Sequence, residues 1–547
     1  MMLRRGEFAR EGDALVETAT GRRVFLRGVN VPAKLPPFEH GLEAEDAQTL
    51  RSLGFTAVRL GVAWEALEPE EGKYDHSYMQ RILRTVRICA AHDVAVVIDP
   101  HQDCWSRFTG GDGAPRWTLE RLGIRVNNLE ACAAAVEEFK DGHSLLWSTN
   151  YQLFGAAAMF TLFFGSRRFA PRVCSSDGQA AQQWLQDHFI EAFAALAAVL
   201  KAEPNVIGFG TMNEPSLGWI GVPDLRRVPT PYRFGYGLSP MECIRLANGE
   251  SIWGVVFYGY PFIPTNLCTL NPSKIQLCSQ PFWTPTIAPN HFALGPGEDP
   301  VALFLHPFWD AFGQRIRECG GEGLHIFTEE PPAVFSPPAR KPRPSHEIPS
   351  PHYYDFVTLA LRRFLSWLSI DFSTGWPTFD AHRARHNTVA RLRAVAIGET
   401  GVSWLGNAPS TNAALHATFR ALESNLVPAV FVWCYIPNHT ADDGWHREDF
   451  SVWSNHRLRL HAAVRPYAAR LAGRPLEMTW DGERFVLRFT DEGRADETIL
   501  FFPHLMRLTV SDGCCFTEGD LVRYYHARYG VEHTIQGVVE KDQIVYV

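Results

Sequence analysis

Residues 206–215 read VIGFGTMNEP, a short apolar run that ends on an Asn, a Glu and a Pro. An unbroken apolar run of this length is the pattern of a strand buried on both faces, and the polar pair marks the point where such a strand meets solvent. Six more runs of the same kind occur along the chain: VFLRGVN from Val24, TAVRLGV from Thr56, VAVVID from Val94, LHIFTE from Leu324, AVAIGE from Ala394 and AVFVWC from Ala429. Helix-like patterns lie between them, such as YMQRILRTVRICAAH from Tyr78 and AAQQWLQDHFIEAFAALAAVLKAEP from Ala180. The second keeps Phe189, Phe193, Leu196 and Leu200 near one face. With an eighth strand expected near HYYDF at His352, the alternation closes as an α/β fold of the (β/α)8 TIM barrel type. The chemistry of such a barrel gathers at the C-terminal ends of its strands.

Two connections are too long for simple crossovers, residues 101–205 and residues 213–323, and insertions of that size belong to the binding face. Residues 331–351 hold eight prolines in 21 positions and are expected to form an irregular, mobile surface loop. Beyond about residue 460 the alternation stops. LEMTWDGERFVLRFT, ETILFF, LVRYYHARY and HTIQGVVEKDQIVYV read as antiparallel strands broken by turns. The expected division is residues 1–461 as the barrel, with its insertions and an N-terminal hairpin, and residues 462–547 as a small β-sandwich of structural role.

The 547 residues carry a net charge of −8 with no Lys/Arg block, so a phosphate-neutralising nucleic-acid surface finds no support. Eleven cysteines without a C-x-x-C pair argue against a disulfide framework and a structural zinc site, and read as mostly reduced, buried thiols. MMLRRGEFAR has no apolar segment behind it. The expectation is therefore an intracellular protein, cytoplasmic or peripheral to an internal membrane. Residues 145–164 come nearest to a membrane span, but Ser148, Thr149, Asn150 and Gln152 interrupt them. A buried core helix or an apolar wall beside a lipid-like ligand fits them better.

Glu214 ends the fourth run and Glu399 the seventh, so two carboxylates face one barrel mouth from opposite sides. Carboxyl groups about 5 to 5.5 Å apart perform retaining glycoside hydrolysis, one as acid/base and the other as nucleophile. Arg59, within the second run TAVRLGV, stands where it can hold Glu399 ionised. The tripeptide Asn-Glu-Pro alone carries little weight, since chance puts it in roughly one chain of this length in fifteen. Placement at a strand end is what gives it meaning.

Arg59, His101, Asn213, Glu214, His352, Tyr354, Glu399 and Trp433 reproduce, in order, the hallmark set of glycoside hydrolase family 5, which residues 20–460 resemble. RGVNVPAKLPPF from Arg27, DPHQDCWSRFTGG from Asp99, TNYQLFGAAAMFTLFFG from Thr149 and WHREDFSVWS from Trp445 are similar to the endoglycoceramidase-related branch, with its glucocerebrosidases and sterylglucosidases. The resemblance implies Glu214 as acid/base, Glu399 as nucleophile and Asn213 as donor to the sugar 2-OH. It also implies Tyr354 and Arg59 as supports for Glu399, and His352 as the residue that steadies Glu214. Lys34, His101 and Asp103 would bind the sugar at the cleavage site, and Trp433 would be the platform beneath it. Taken singly, Lys34 reads equally as a solvated loop charge, His101 as a core histidine and Trp433 as barrel filling. Trp105, Trp219 and Trp445 flank the motifs as lining or as core.

Other chemistries fail on particulars. The first strand ends in GVNVPAK rather than an H-x-H pair, there is no G-x-S-x-G elbow, and GFGTMN has Asn213 where a dinucleotide fingerprint needs its third Gly. The expectation is a retaining β-glucosidase that needs no cofactor or metal and splits a glycolipid with a lipid-like aglycone, sterol or ceramide, with room for transient contact with a membrane surface. The alternatives are an endoglycoceramidase that releases an intact oligosaccharide and a non-catalytic glycolipid-binding barrel.

Overall fold

The computed structural model describes residues 3–136, 147–229, 235–257, 264, 266–331, 343–355, 358–359, 381–404, 408–440 and 449–540. Eight parallel strands form the central sheet: β1 (Leu26–Val31), β2 (Ala57–Ala63), β3 (Ala95–His101), β4 (Val206–Gly210), β5 (His325–Thr328), β6 (Glu347–Pro349), β7 (Ala396–Thr400) and β8 (Ala429–Val432). Their order is β6-β5-β4-β3-β2-β1-β8-β7. The ring closes just beyond β6, where the Gly398 amide donates to Pro351 O at 3.2 Å and the Tyr353 amide to Glu399 O at 2.9 Å. Every residue of β1, β2, β3 and β4 is buried, as runs covered by helices on one side and barrel filling on the other must be.

Seven strands fall on the seven apolar runs, and the eighth lies earlier than expected. The strand is Glu347–Pro349, and the described part of HYYDF, His352 to Asp355, is irregular, while Phe356 lies outside the described residues. The same three residues give the proline-rich stretch a strand it was expected to lack. They pair in register as Ile326 with Glu347, Phe327 with Ile348 and Thr328 with Pro349, so Pro349 sits at the last position, where losing an N–H costs the ladder least. Residues 332–342 of that stretch lie outside the described residues.

The first insertion carries a helix, Phe154–Phe169, in which Phe160, Phe163 and Phe164 are buried. Phe163 packs edge-on against Phe189 of the helix Ala181–Val199 and against Phe308 of the helix His306–Gly320. This corrects the picture of an apolar wall beside the ligand: the apolar side chains are spent on packing to neighbouring helices. No described helix is long and apolar enough to cross a membrane. The second insertion adds a three-stranded antiparallel sheet, Gly235–Tyr236, Ile252–Phe257 and Asn266–Leu270.

Beyond the barrel, two antiparallel sheets stack over a core that includes Phe485, Leu487, Phe489, Leu500 and Tyr524. One sheet is drawn from both ends of the chain. The N-terminal strands Phe8–Glu11, Ala14–Glu17 and Arg23–Val24 join Tyr467–Leu471, with Val24 opposite Arg470 and Arg23 opposite Leu471. Gly54 lets this layer approach the barrel. Its φ is +85°, and a Cβ there would lie 2.3 Å from the Phe501 ring. All eleven cysteines are free.

Candidate active site

Polar residues in or just beyond the barrel strands meet at one mouth, and Arg59, inside β2, is the hub of the resulting network. Nη1 donates to Asn30 Oδ1 at 2.9 Å and Glu399 Oε1 at 2.8 Å. Nη2 donates to Asp99 Oδ1 at 2.8 Å, Asn213 Oδ1 at 2.9 Å and Glu329 Oε1 at 2.7 Å. Burial alone would lower the pKa of this guanidinium, yet Asp99, Glu329 and Glu399 push it above its ordinary value. A buried charge of this kind is tolerated only where such partners surround it.

Glu399, near the end of β7, receives a donor on each oxygen: Arg59 on Oε1 and the Tyr354 hydroxyl on Oε2 at 2.9 Å. Burial raises its pKa above the usual carboxylate value, and the Glu214 carboxylate adds to that. His352 and Arg59 oppose the rise without cancelling it. Both of its hydrogen bonds serve the ionised form. Gly398 precedes it because His352 leans on that position, and a Cβ there would sit 2.9 Å from Nε2 of the ring.

Glu214 follows β4 with φ +36°, a left-handed conformation that a non-glycine residue holds at some cost and that recurs at working sites. Gln102 clamps this turn, donating to Asn213 O at 2.7 Å and Glu214 O at 3.2 Å, while Asn213 Nδ2 donates to Gln102 O at 3.0 Å. The Glu214 carboxyl is the more open of the pair, with 18% of its side chain exposed against 6% for Glu399. His352 stands between them, its Nδ1 2.9 Å from Glu214 Oε1 and 3.5 Å from Glu399 Oε2. An oxygen of Glu214 and one of Glu399 lie within 4.8 Å of each other.

Beside the carboxylates lies a second cluster. Trp433 stacks on His101 with ring centroids 5.4 Å apart and planes 7° from parallel, and Lys34 Nζ is 4.8 Å from the Trp433 ring. Lys34 donates to Asp103 Oδ2 and lies 3.7 Å from Asp112. His101 Nδ1 is 2.6 Å from Asp99 Oδ2, and its Nε2 is 3.7 Å from Asp103. Burial would lower the His101 pKa, but Asp99 and Asp103 raise it to about 10. Burial likewise favours a neutral Asp103, which Lys34 and His101 overcome, holding it well below the carboxylate range. Trp433 is half-buried, so part of its indole remains for a ligand.

All ten residues singled out from the sequence thus meet at one mouth. The polar partners not singled out are Asn30, Asp99, Gln102, Asp112 and Glu329. Asn30, Asp99 and Glu329 are the polar ends of apolar strand runs, the signal that marked Glu214 and Glu399. Trp105 and Trp219 are core: both are buried, and Trp105 packs on Phe160 and donates to Thr118 Oγ1. Trp445 lies outside the described residues. Among the described residues, three groups have ligand-type atoms close enough to share an ion: Asp99, His101 and Glu399; His101, Asp103 and Asp112; Glu214, His352 and Glu399. Arg59, Lys34 and His352 already place positive or proton-donating groups on their carboxylates.

Residues 18–228 match the family described as Cellulase (glycosyl hydrolase family 5). A glucosylceramidase of Rhizopus delemar is 28% identical, over 92% of both chains. An ergosteryl-beta-glucosidase of Saccharomyces cerevisiae is 28% identical, over 79% of this chain and 74% of its own. Sterylglucosidase 1 of Cryptococcus neoformans superposes with a TM-score of 0.85 at 22% identity, over 98% of this chain and 97% of its own, which establishes the barrel and appended sandwich as a shared fold. With paired glutamates beyond β4 and in β7, a glycosyl hydrolase family 5 match over residues 18–228 and similarity to glucosylceramidases and a steryl glucosidase along most of its length, the protein is a glycoside hydrolase.

Proposed function

We propose that the protein is a retaining β-glucosidase that removes glucose from a glycolipid, either a steryl glucoside or glucosylceramide. The observation that carries this reading is the approach of Glu214 and Glu399 to within 4.8 Å, the span of a retaining pair and shorter than the roughly 6.5–9.5 Å an inverting enzyme needs for its water. Glu399, held by Arg59 and Tyr354, attacks the anomeric carbon while Glu214 protonates the departing oxygen. Glu214 then takes a proton from the water that releases glucose from Glu399. The sugar rests on Trp433, with Lys34, His101 and Asp103 at its hydroxyls. The names of the relatives support a glycolipid substrate.

An exposed face in the second insertion supports contact with the lipid surface that holds such a substrate. Trp253 is 76% exposed and Leu267 66%, and they lie on one side of the hairpin because Trp253 pairs with Thr269 and Val255 with Leu267. Residues 251–273 contain no charge, and an exposed Trp in an uncharged segment suits a membrane interface.

Wild type and Glu399→Gln, offered glucosylceramide, a steryl glucoside and lactosylceramide, test the reading. Free glucose from the first two, abolished by the substitution, is expected. Disaccharide from lactosylceramide would establish the endo-acting alternative, and tight glycolipid binding without release by wild type would establish a binding barrel.

A further inference from the structure

Three carboxylates surround the imidazole of His352. Nδ1 faces the two reacting ones, Glu214 and Glu399, while Nε2 lies 3.1 Å from Glu329 Oε2. Glu329, just beyond β5, has no part in the steps above and is buried. Its Oε1 accepts from Arg59, and its Oε2 also accepts the backbone N–H of Glu214 at 3.2 Å. One side chain therefore touches the guanidinium that holds the nucleophile, the backbone of the acid/base, and the imidazole on which the acid/base leans.

An ionised carboxylate can only accept hydrogen bonds. Burial would keep Glu329 protonated, but Arg59 and His352 bring its pKa down to about 2, so it is an anion wherever a glycosidase works. An anion beside Nε2 stabilises a proton on that nitrogen. Nδ1 is then the only ring position free to gain or lose one, and it faces Glu214.

We propose that Glu329 is a positioning residue that keeps a proton on Nε2 of His352, so that one mobile proton is shared between His352 Nδ1 and the Glu214 carboxyl. This rests on the retaining-hydrolase reading. In the first step the pair gives its mobile proton, through Glu214, to the glycosidic oxygen. The C–O bond breaks with its electrons going to that oxygen, and Glu399 bonds to the anomeric carbon. The pair is left as a carboxylate facing a neutral imidazole with its Nε2–H intact. In the second step the attacking water returns one proton to the pair, forms the new C–O bond and frees Glu399. The Nε2 proton never moves.

The experiment compares kcat/KM for phenyl β-glucoside, whose leaving group needs a proton, with 2,4-dinitrophenyl β-glucoside, whose leaving group does not. Glu329→Gln keeps the shape, but its amide nitrogen can donate to Nε2 and move the ring proton to Nδ1. The expected loss is about 100-fold or more on the phenyl substrate, within the usual range for general acid catalysis, and under about 10-fold on the dinitrophenyl one. Asp99→Asn, which touches the same Arg59 nitrogen but not His352, should lower both alike. Equal losses on both substrates in Glu329→Gln, or no loss, overturn the proposal while leaving an active wild type. A folded wild type that cleaves neither substrate overturns the hydrolase reading as well. Should Glu329→Gln fail to fold, 15N spectra of histidine-labelled wild type decide, with the His352 signal assigned by its loss in His352→Gln. A protonated Nε2 across the active pH range is expected, and a neutral ring protonated on Nδ1 overturns the proposal.

Discussion

Tyr354→Phe removes one atom from the site and little else. The ring is held edge-on by Phe450, with centroids 6.0 Å apart, so the phenyl should stay in place while Glu399 Oε2 loses its 2.9 Å donor. Burial and the surrounding carboxylates push the Tyr354 hydroxyl well above its ordinary pKa, so in wild type it donates at every working pH. A hydrogen bond to a charged group contributes about 1.5–3 kcal/mol, and here it favours only the ionised carboxylate. Removing it raises a Glu399 pKa that burial has already raised, by about one to two units at 1.36 kcal/mol each. As the nucleophile of the proposed retaining mechanism Glu399 must be ionised to attack, so activity is lost as pH falls through its pKa, and the acid limb of kcat/KM should move to higher pH by that amount. The assay is a pH–rate profile on a soluble aryl glucoside for wild type and variant. An acid limb that stays put or moves to lower pH would refute the argument that this hydroxyl stabilises an ionised nucleophile.

Trp433→Ala takes away the apolar floor beside His101 and Lys34, and should reduce kcat/KM by roughly 10- to 100-fold, mostly through KM, as loss of about 1.5–3 kcal/mol of aromatic burial implies; an unchanged KM would place the sugar elsewhere. Gly54→Ala forces an L side chain into φ +85° and against Phe501, and should cost about 1–3 kcal/mol in urea unfolding with kcat unaltered in the folded fraction. The paired substitution Trp253→Asp and Leu267→Asp should weaken binding to phosphatidylcholine vesicles containing glucosylceramide by tenfold or more, from about 1.5–3 kcal/mol for each apolar side chain, and leave aryl glucoside hydrolysis untouched. Equal vesicle binding would remove the hairpin from the membrane-contact reading.

How much of this was legible in the sequence depends on the physics behind each signal. Strands buried on both faces leave an unmistakable apolar run, which is why β1 to β5, β7 and β8 could be read directly. β6 could not, because three residues flanked by prolines leave no run to see. The first three turns of Phe154–Phe169 are apolar on nearly every face, and composition alone cannot tell a helix wrapped by other helices from a wall facing lipid. In the site, Glu214 and Glu399 announced themselves as polar strand ends, and Glu329 and Asp99 carried the same mark. Those two went unseen because they hold Arg59 and His352 in place and complete no recognised motif of their own. The union of the N-terminal hairpin with Tyr467–Leu471 had no local signal, since strand alternation names no partner.

That union bears on how the chain reaches its final form. Val24 cannot meet Arg470 until more than four hundred intervening residues have been made, so the hairpin must wait with an unpaired edge while the rest of the polypeptide is synthesised. Closing so long a loop is slow unless something brings its ends together first, and β1, only two residues beyond Val24 and paired with β8, can do so as the cylinder forms. The seam joining head to tail would then be among the last to zip and the first to open under denaturant, with its amides exchanging hydrogen sooner than those of β2 and β3.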